Sequence, residues 1–143
     1  MLDYKETLMA LNKKYNFNTA NDIVITEVGN GISRVQTTLS PKSLNPFGAA
    51  HGGLLFTLCD VAAGVLALEG GRASVTLSAN IEYLRGGASS GTLYAVAKRI
   101  KEGRTIGVFD VDVFDEDDIL LAKSTMQYYY SGQPLTLADN SGE

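Results

Sequence analysis

The stretch from Gly52 to Leu68 is apolar nearly all the way round: Leu54, Leu55, Phe56, Leu58, Val61, Ala62, Ala63, Val65, Leu66 and Ala67 leave no polar stripe. A helix of that composition has to be covered on most sides. The rest of the chain after it reads as strands, so the cover is a sheet. At 17 residues, with Asp60 near its middle, the segment is too short and too centrally charged for a comfortable membrane span.

Asp60 is the informative exception, because a carboxylate in an apolar helix is costly to bury without a partner. The segment leading in, Asn45-Pro-Phe-Gly-Ala-Ala-His51, reads as a loop punctuated by Pro46 and Gly48. Gly52 and Gly53 open the helix. Their N–H groups are expected to be unpaired at the positive end of the helix dipole, with no side chain in a ligand's way.

Asn45, Gly48, His51, Gly52, Gly53 and Asp60 together resemble the Asn-x-x-Gly-x-x-His-Gly-Gly-(x)6-Asp signature of the hotdog-fold acyl-CoA thioesterases, in the branch typified by the phenylacetate-pathway enzymes. With the strand pattern that follows, the resemblance covers roughly residues 20 to 130. It is far more specific than a lone glycine motif.

A chain of 143 residues fits one domain, and nothing in it suggests a second core. Twelve basic against sixteen acidic residues argue against a general nucleic-acid binder or an anionic-membrane protein. An anionic ligand must then be met by a local basic cluster. Cys59 is the single cysteine and has no internal disulfide partner; it reads as a packing residue. The start of the chain does not read as a secretory signal, so the expected location is the cytoplasm.

Taken in order, residues 3 to 15 predict an amphipathic helix, with Asp3 as N-cap and Tyr4, Leu8, Leu11 and Tyr15 on one face, within an N-terminal helical region spanning 1 to 20. Ile23 to Val28 and Ile32 to Leu39 predict a hairpin turning at Gly29-Asn30-Gly31. After the long helix, stopped by Gly70-Gly71, a strict period of two sets Val75, Leu77, Ala79, Ile81 and Tyr83 toward the core against Thr76, Ser78, Asn80 and Glu82. Strands over 92 to 100, 105 to 114 and 119 to 130 follow, and residues 131 to 143 read as a frayed tail. The expectation is an α+β fold of five to six antiparallel strands wrapping one central helix, the last four strands forming a meander. This is the hotdog arrangement the resemblance implies.

Thioester hydrolysis needs a donor for the carbonyl oxygen and a carboxylate that activates water or attacks directly. By resemblance, the Gly52 N–H polarises the carbonyl, Asp60 is base or nucleophile, Asn45 bonds near the water or substrate, and Thr76 orients the water. His51 matches the motif histidine, although anchoring the loop at the helix start explains it equally well. Gly53 and Tyr83 are assigned to substrate. Lys98, Arg99, Lys101 and Arg104 form a dense basic cluster. The segment Lys101-Glu102-Gly103-Arg104-Thr105 resembles the family's coenzyme A phosphate segment, so Lys101, Gly103, Arg104 and Thr105 are expected to bind the nucleotide; solvated charges beside a hairpin are the plainer alternative.

Gly52 and Asp60 lie about 12 Å apart along one helix at 1.5 Å per residue, so they cannot serve one carbonyl from the same chain. The resemblance implies a homodimer with sites shared between subunits, and a dimer of dimers. No metal is expected, since one His and one Cys make no zinc site and the acidic turn 115 to 118 lacks calcium-loop spacing. Coenzyme A enters only as part of the substrate. A non-catalytic acyl-CoA-binding protein and a hotdog hydratase or dehydratase are the competing functions, the latter weakened by the absence of a second histidine.

Overall fold

The computed structural model describes residues 3–138. Six strands, β1 (Val24–Gly29), β2 (Ile32–Thr38), β3 (Arg72–Tyr83), β4 (Thr92–Glu102), β5 (Ile106–Phe114) and β6 (Leu120–Pro134), form one antiparallel sheet in the order β1-β2-β4-β5-β6-β3. It curves around one long helix, Gly52–Ala67, which touches all six strands. Four short pieces precede the helix: α1 (Lys5–Met9), a 3₁₀ turn (Ala10–Lys13), α2 (Phe17–Ala20) and a second 3₁₀ turn (Pro41–Ser43). The long helix is α3.

Alternation along the middle strands puts Leu93, Ala95 and Ala97 of β4, with Phe109, Val111 and Val113 of β5, against α3. The helix answers with Leu55, Leu58, Cys59, Ala62, Ala63, Leu66 and Ala67, all buried in the same cluster. Small residues on both sides allow the close approach that burial of an apolar helix in a sheet requires. No helix among the described residues is long and apolar enough to cross a membrane.

The apolar helix does keep a narrow stripe out of the core. Gly53, Thr57, Asp60 and Gly64 recur at intervals of four, three and four, one face of an α-helix, and none of the four is buried. The sequence reading missed it because two of the four are glycines, which carry no hydropathy signal.

Other expectations change as well. The helix over residues 3 to 15 breaks at Ala10, and the Asp3 carboxylate accepts from the Lys5 N–H while Tyr4 holds the N-cap position. Asn16 restarts the chain as α2 with a capping box closed by Thr19, so the local cap outcompetes continuation of the first helix. Residues 131 to 134 are not frayed, since β6 runs to Pro134 paired with Arg72, and the Leu135 N–H reaches the Gly71 carbonyl. Residues 139 to 143 of the expected tail, and residues 1 and 2 of the expected helical region, lie outside the described residues.

The meander has three strands, not four. β3 pairs with β6 instead of β4, and residues 84 to 91 carry the chain from that edge back to the middle of the sheet. A link of this length is not a tight hairpin, and β4 already has both edges taken by β2 and β5. At the far end of α3, Gly71 adopts φ +81°, and the Tyr4 ring sits where a side chain would project, 2.4 Å from the position of a Cβ. Only glycine serves both the turn and the contact.

The most consequential difference lies in β3. A bulge between Thr76 and Ser78 inserts Leu77 as an extra residue, so the period of two slips by one. Directly paired residues share a face. Thr76 is paired with inward-facing Tyr128, and Ala79, Ile81 and Tyr83 with Met126, Ser124 and Ala122, so all of these face the helix side. Val75, paired with Tyr129, faces outward and is 63% exposed. The pattern that reads as one apolar face is thus two half-strands of opposite phase.

Candidate active site

The bulge sets Thr76 beside Asp60, and Thr76 Oγ1 donates to Asp60 Oδ1 at 2.7 Å. A second donor arrives from β6: the Tyr128 hydroxyl is 2.6 Å from the same Oδ1 and 2.8 Å from the Asp60 main-chain oxygen. No described residue donates to Oδ2. The group opens on a cavity of about 360 Å³ lined by Val61, Gly64, Val65, Leu68 and Val75 as well as Asp60, Thr76 and Tyr128. It thus combines a carboxylate with one free oxygen and an apolar wall.

Tyr128 is the residue sequence reasoning missed. Three consecutive tyrosines, 128 to 130, stand in the last strand, and alternation sends Tyr128 and Tyr130 inward. A buried phenol needs a hydrogen-bond partner, which is the one signal the sequence offered. Burial, then the Asp60 charge, push the Tyr128 phenol well above its usual range, so it stays a donor. Tyr130 turns instead to Glu102 Oε1 at 2.7 Å.

At the start of α3 the N-cap is His51, whose Nδ1 accepts the Gly53 N–H at 2.8 Å. One of the two N–H groups expected to be free is therefore taken; Gly52 alone donates to no described acceptor. An imidazole at the cap position reaches the N2 amide like any capping side chain. Tyr83 lies over Gly52, its hydroxyl donating to the Gly52 carbonyl at 2.9 Å, and a Cβ on Gly52 would sit 3.3 Å from the ring. Asn45 folds its own loop, with Oδ1 accepting from Phe47 at 2.9 Å and Ala49 at 3.1 Å. A second cavity of about 390 Å³ opens here, lined by His51, Gly53, Leu54 and Thr57 with Phe17 and Lys42.

Gly52 and Asp60 stay separate within one chain, each with its own companions: Tyr83 with Gly52, Thr76 and Tyr128 with Asp60. The turn Lys101 to Thr105 makes no hydrogen bond to either group among the described residues. Arg72 holds it, donating to the carbonyls of Arg104 at 2.9 Å and Gly103 at 3.0 Å and stacking on Tyr130 at 3.7 Å. Of the basic cluster, Arg99 is spent on Glu69 and Glu102, whereas Lys98, Lys101 and Arg104 enter no ion pair among the described residues. Cys59 is fully buried with its thiol pushed up to about 12, chiefly by burial, and so carries no thiolate at neutral pH.

A helix embraced by a six-stranded antiparallel sheet is the hotdog fold, and the comparisons with known proteins make the chain a thioester hydrolase. Residues 47–122 match the family described as Thioesterase superfamily, more than half of the chain, and the chain belongs to that family. It is 31% identical over 100 residues to the acyl-coenzyme A thioesterase PaaI of Escherichia coli K12, covering 70% of this chain and 71% of that protein. The solved structure of the E. coli PaaI protein from the phenylacetic acid degradation operon superposes with a TM-score of 0.83 at 28% identity, over 89% of this chain and 92% of that one. A hypothetical thioesterase from Streptococcus pneumoniae TIGR4, solved with coenzyme A, gives 0.74 at 34% identity over 79% and 88%.

Proposed function

We propose that the protein hydrolyses acyl-CoA to a free carboxylic acid and coenzyme A in the cytoplasm, at sites shared between two copies of the chain. The observation that carries the reading is the Asp60 carboxylate, which lines a partly apolar cavity with Oδ1 held by Thr76 and Tyr128 and with no described donor on Oδ2. Asp60 then either takes a proton from water as the water attacks the thioester carbonyl, or attacks that carbonyl itself. In the first route the C–S bond breaks as water adds its oxygen to the carbonyl carbon, and the proton taken by Asp60 passes to the leaving thiolate. In the second, C–S cleavage leaves an acyl-Asp60 anhydride, the thiolate leaves as coenzyme A and is protonated, and water then cleaves the anhydride to free the acid and the Asp60 carboxylate. The Gly52 N–H of a second copy, strengthened by the start of α3, polarises the carbonyl.

A shared site is what the exposed surface favours. β3 is an edge strand whose outer side is unpaired, and Val75, Leu77 and Tyr83 are 63%, 51% and 54% exposed along it. An edge of that kind invites pairing with another strand. Pairing two copies through β3 covers these residues and runs the two Gly53-Thr57-Asp60-Gly64 stripes past each other in opposite directions, bringing Gly52 of one toward Asp60 of the other. Two such dimers make the proposed tetramer.

In this arrangement Asn45 shapes the loop that presents Gly52, Gly53 completes the helix start, Tyr83 borders the substrate, and Lys101, Gly103, Arg104 and Thr105 meet the coenzyme A phosphates. The deciding experiment is turnover of a panel of aryl-acetyl, benzoyl and medium-chain acyl-CoAs by wild type and Asp60→Asn. A loss in kcat of about a hundredfold or more is expected for a missing acid-base group. Near wild-type turnover by Asp60→Asn would remove the carboxylate from the mechanism, and tight binding without turnover by wild type would leave an acyl-CoA-binding protein.

A further inference from the structure

Tyr128 stands 68 residues from Asp60 in sequence, outside the loop-and-helix signature, yet it makes the shortest polar contact that Asp60 receives, 2.6 Å. The phenol has one proton and two acceptors within reach on Asp60. The charged oxygen is the stronger acceptor, so the proton is directed at Oδ1, with the main-chain oxygen as a secondary contact. Thr76 Oγ1 reaches the same atom. A carboxylate's terminal torsion is broad and nearly two-fold, so one donor leaves it free to exchange its oxygens, and two converging donors do not.

The phenol is itself held. Tyr128 is 3% exposed, its ring meets Phe109 edge-on at a centroid distance of 5.7 Å, and its oxygen lies 3.4 Å from where a Cβ on Gly64 would project. Gly64 is one turn beyond Asp60 on the same stripe, and a Cβ there would be in ordinary van der Waals contact with the hydroxyl. Burial and the neighbouring charge keep the phenol protonated, so the donor persists across the working pH range.

We propose that Tyr128 is a positioning residue: with Thr76 it pins Asp60 Oδ1 and so fixes Oδ2 as the oxygen that meets water or the thioester. The proposal rests on the reading of Asp60 given above, and it says which atom acts. Neither donor touches substrate through this bond, so its loss affects turnover and not binding.

The test is steady-state kinetics of the full-length protein with phenylacetyl-CoA and octanoyl-CoA, whichever is turned over. Tyr128→Phe removes one oxygen and keeps the ring against Phe109. Its kcat is expected to fall about ten- to a hundredfold with KM within about twofold of wild type. In an Asp60→Asn background the same change should lower the residual rate by less than about twofold. Gly64→Val keeps Tyr128 and sets γ-methyls against its oxygen, beyond a Cβ that would already touch the hydroxyl at 3.4 Å, so it should lower kcat in the same direction with KM within about twofold of wild type; it carries the test if Tyr128→Phe does not fold. A wild-type kcat for Tyr128→Phe, or for Gly64→Val where that variant carries the test, overturns the proposal. So does a Tyr128→Phe loss as large in Asp60→Asn as in wild type, since packing and not the carboxylate would then be at work. If Asp60→Asn itself turns over normally, the mechanism fails first; if it is inactive while Tyr128→Phe is normal, only the positioning role fails.

Discussion

His51 is a helix cap by geometry, because its Nδ1 closes the first turn of α3 on the Gly53 amide. Replacing a capping side chain with alanine costs about 1 kcal/mol, so His51→Ala should lower the urea midpoint by that equivalent, while His51→Asn, which can still accept from the same amide, should recover most of it. A drop in kcat with unchanged stability would instead place the imidazole in the chemistry. Gly52 makes the complementary case. A Cβ there meets the Tyr83 ring at 3.3 Å, and Tyr83 is exposed enough to swing aside. Alanine is favoured over glycine in a helix by up to about 1 kcal/mol, so Gly52→Ala should hold or raise the melting temperature while lowering kcat/KM, the signature of a glycine kept for access and not for folding.

At the scale of elements, the β3 bulge and the β4–β5 turn divide the work. The bulge moves Thr76 onto the inner face, where an unbroken strand would have turned it away from Asp60. On the proposed mechanism α3 contributes two half-sites, one at its start and one at its middle, too far apart to combine within one chain. Mixing Asp60→Asn with Gly52→Ala, under conditions where dimers exchange, should therefore restore part of the activity, because one of the two sites in a mixed dimer is built from wild-type halves. No recovery from well-exchanged dimers would argue against a shared site. The β4–β5 turn is held from behind by Arg72 through the Gly103 and Arg104 carbonyls, which leaves the Lys101 and Arg104 side chains exposed. Changing both to alanine should raise KM for acyl-CoA about tenfold at low salt, since two exposed charge-assisted contacts are worth about 1–2 kcal/mol. Hydrolysis of a short thioester lacking the nucleotide should be unaffected, and the acyl-CoA effect should shrink at high salt as the screening length falls from about 10 Å at 0.1 M. An unchanged KM at low salt would return these side chains to the solvent.

At the scale of the whole molecule, the buried tyrosines tie stability to alkaline pH. Burial raises the phenols of Tyr128 and Tyr130 above the ordinary 10.0, each with help from a neighbouring carboxylate. The unfolded chain therefore releases these protons first as pH rises, and the folded chain keeps them. Their contribution is complete below pH 10 and is lost as pH climbs toward the higher folded values, so the urea midpoint should fall above about pH 10. Tyr128→Phe should flatten that fall. An equally steep decline in the variant would assign it to other groups.

Much of this architecture is legible without coordinates. An almost wholly apolar helix requires a surrounding layer, the chain after it alternates as strands, and the loop residues Asn45 to Gly53 with Asp60 carry the family resemblance that points to thioester chemistry. Even the separation of Gly52 from Asp60 along a rigid helix follows from the rise per residue. What the sequence could not decide is anything that depends on strand pairing. Whether β3 neighbours β4 or β6, whether Leu77 is a bulge, and hence whether Thr76 faces inward are set by the register of residues some fifty positions apart. A slip of one residue there reverses a strand's two faces while leaving its composition unchanged. Tyr128 reaches Asp60 through that same pairing, which is why local periodicity gives its burial but not its partner.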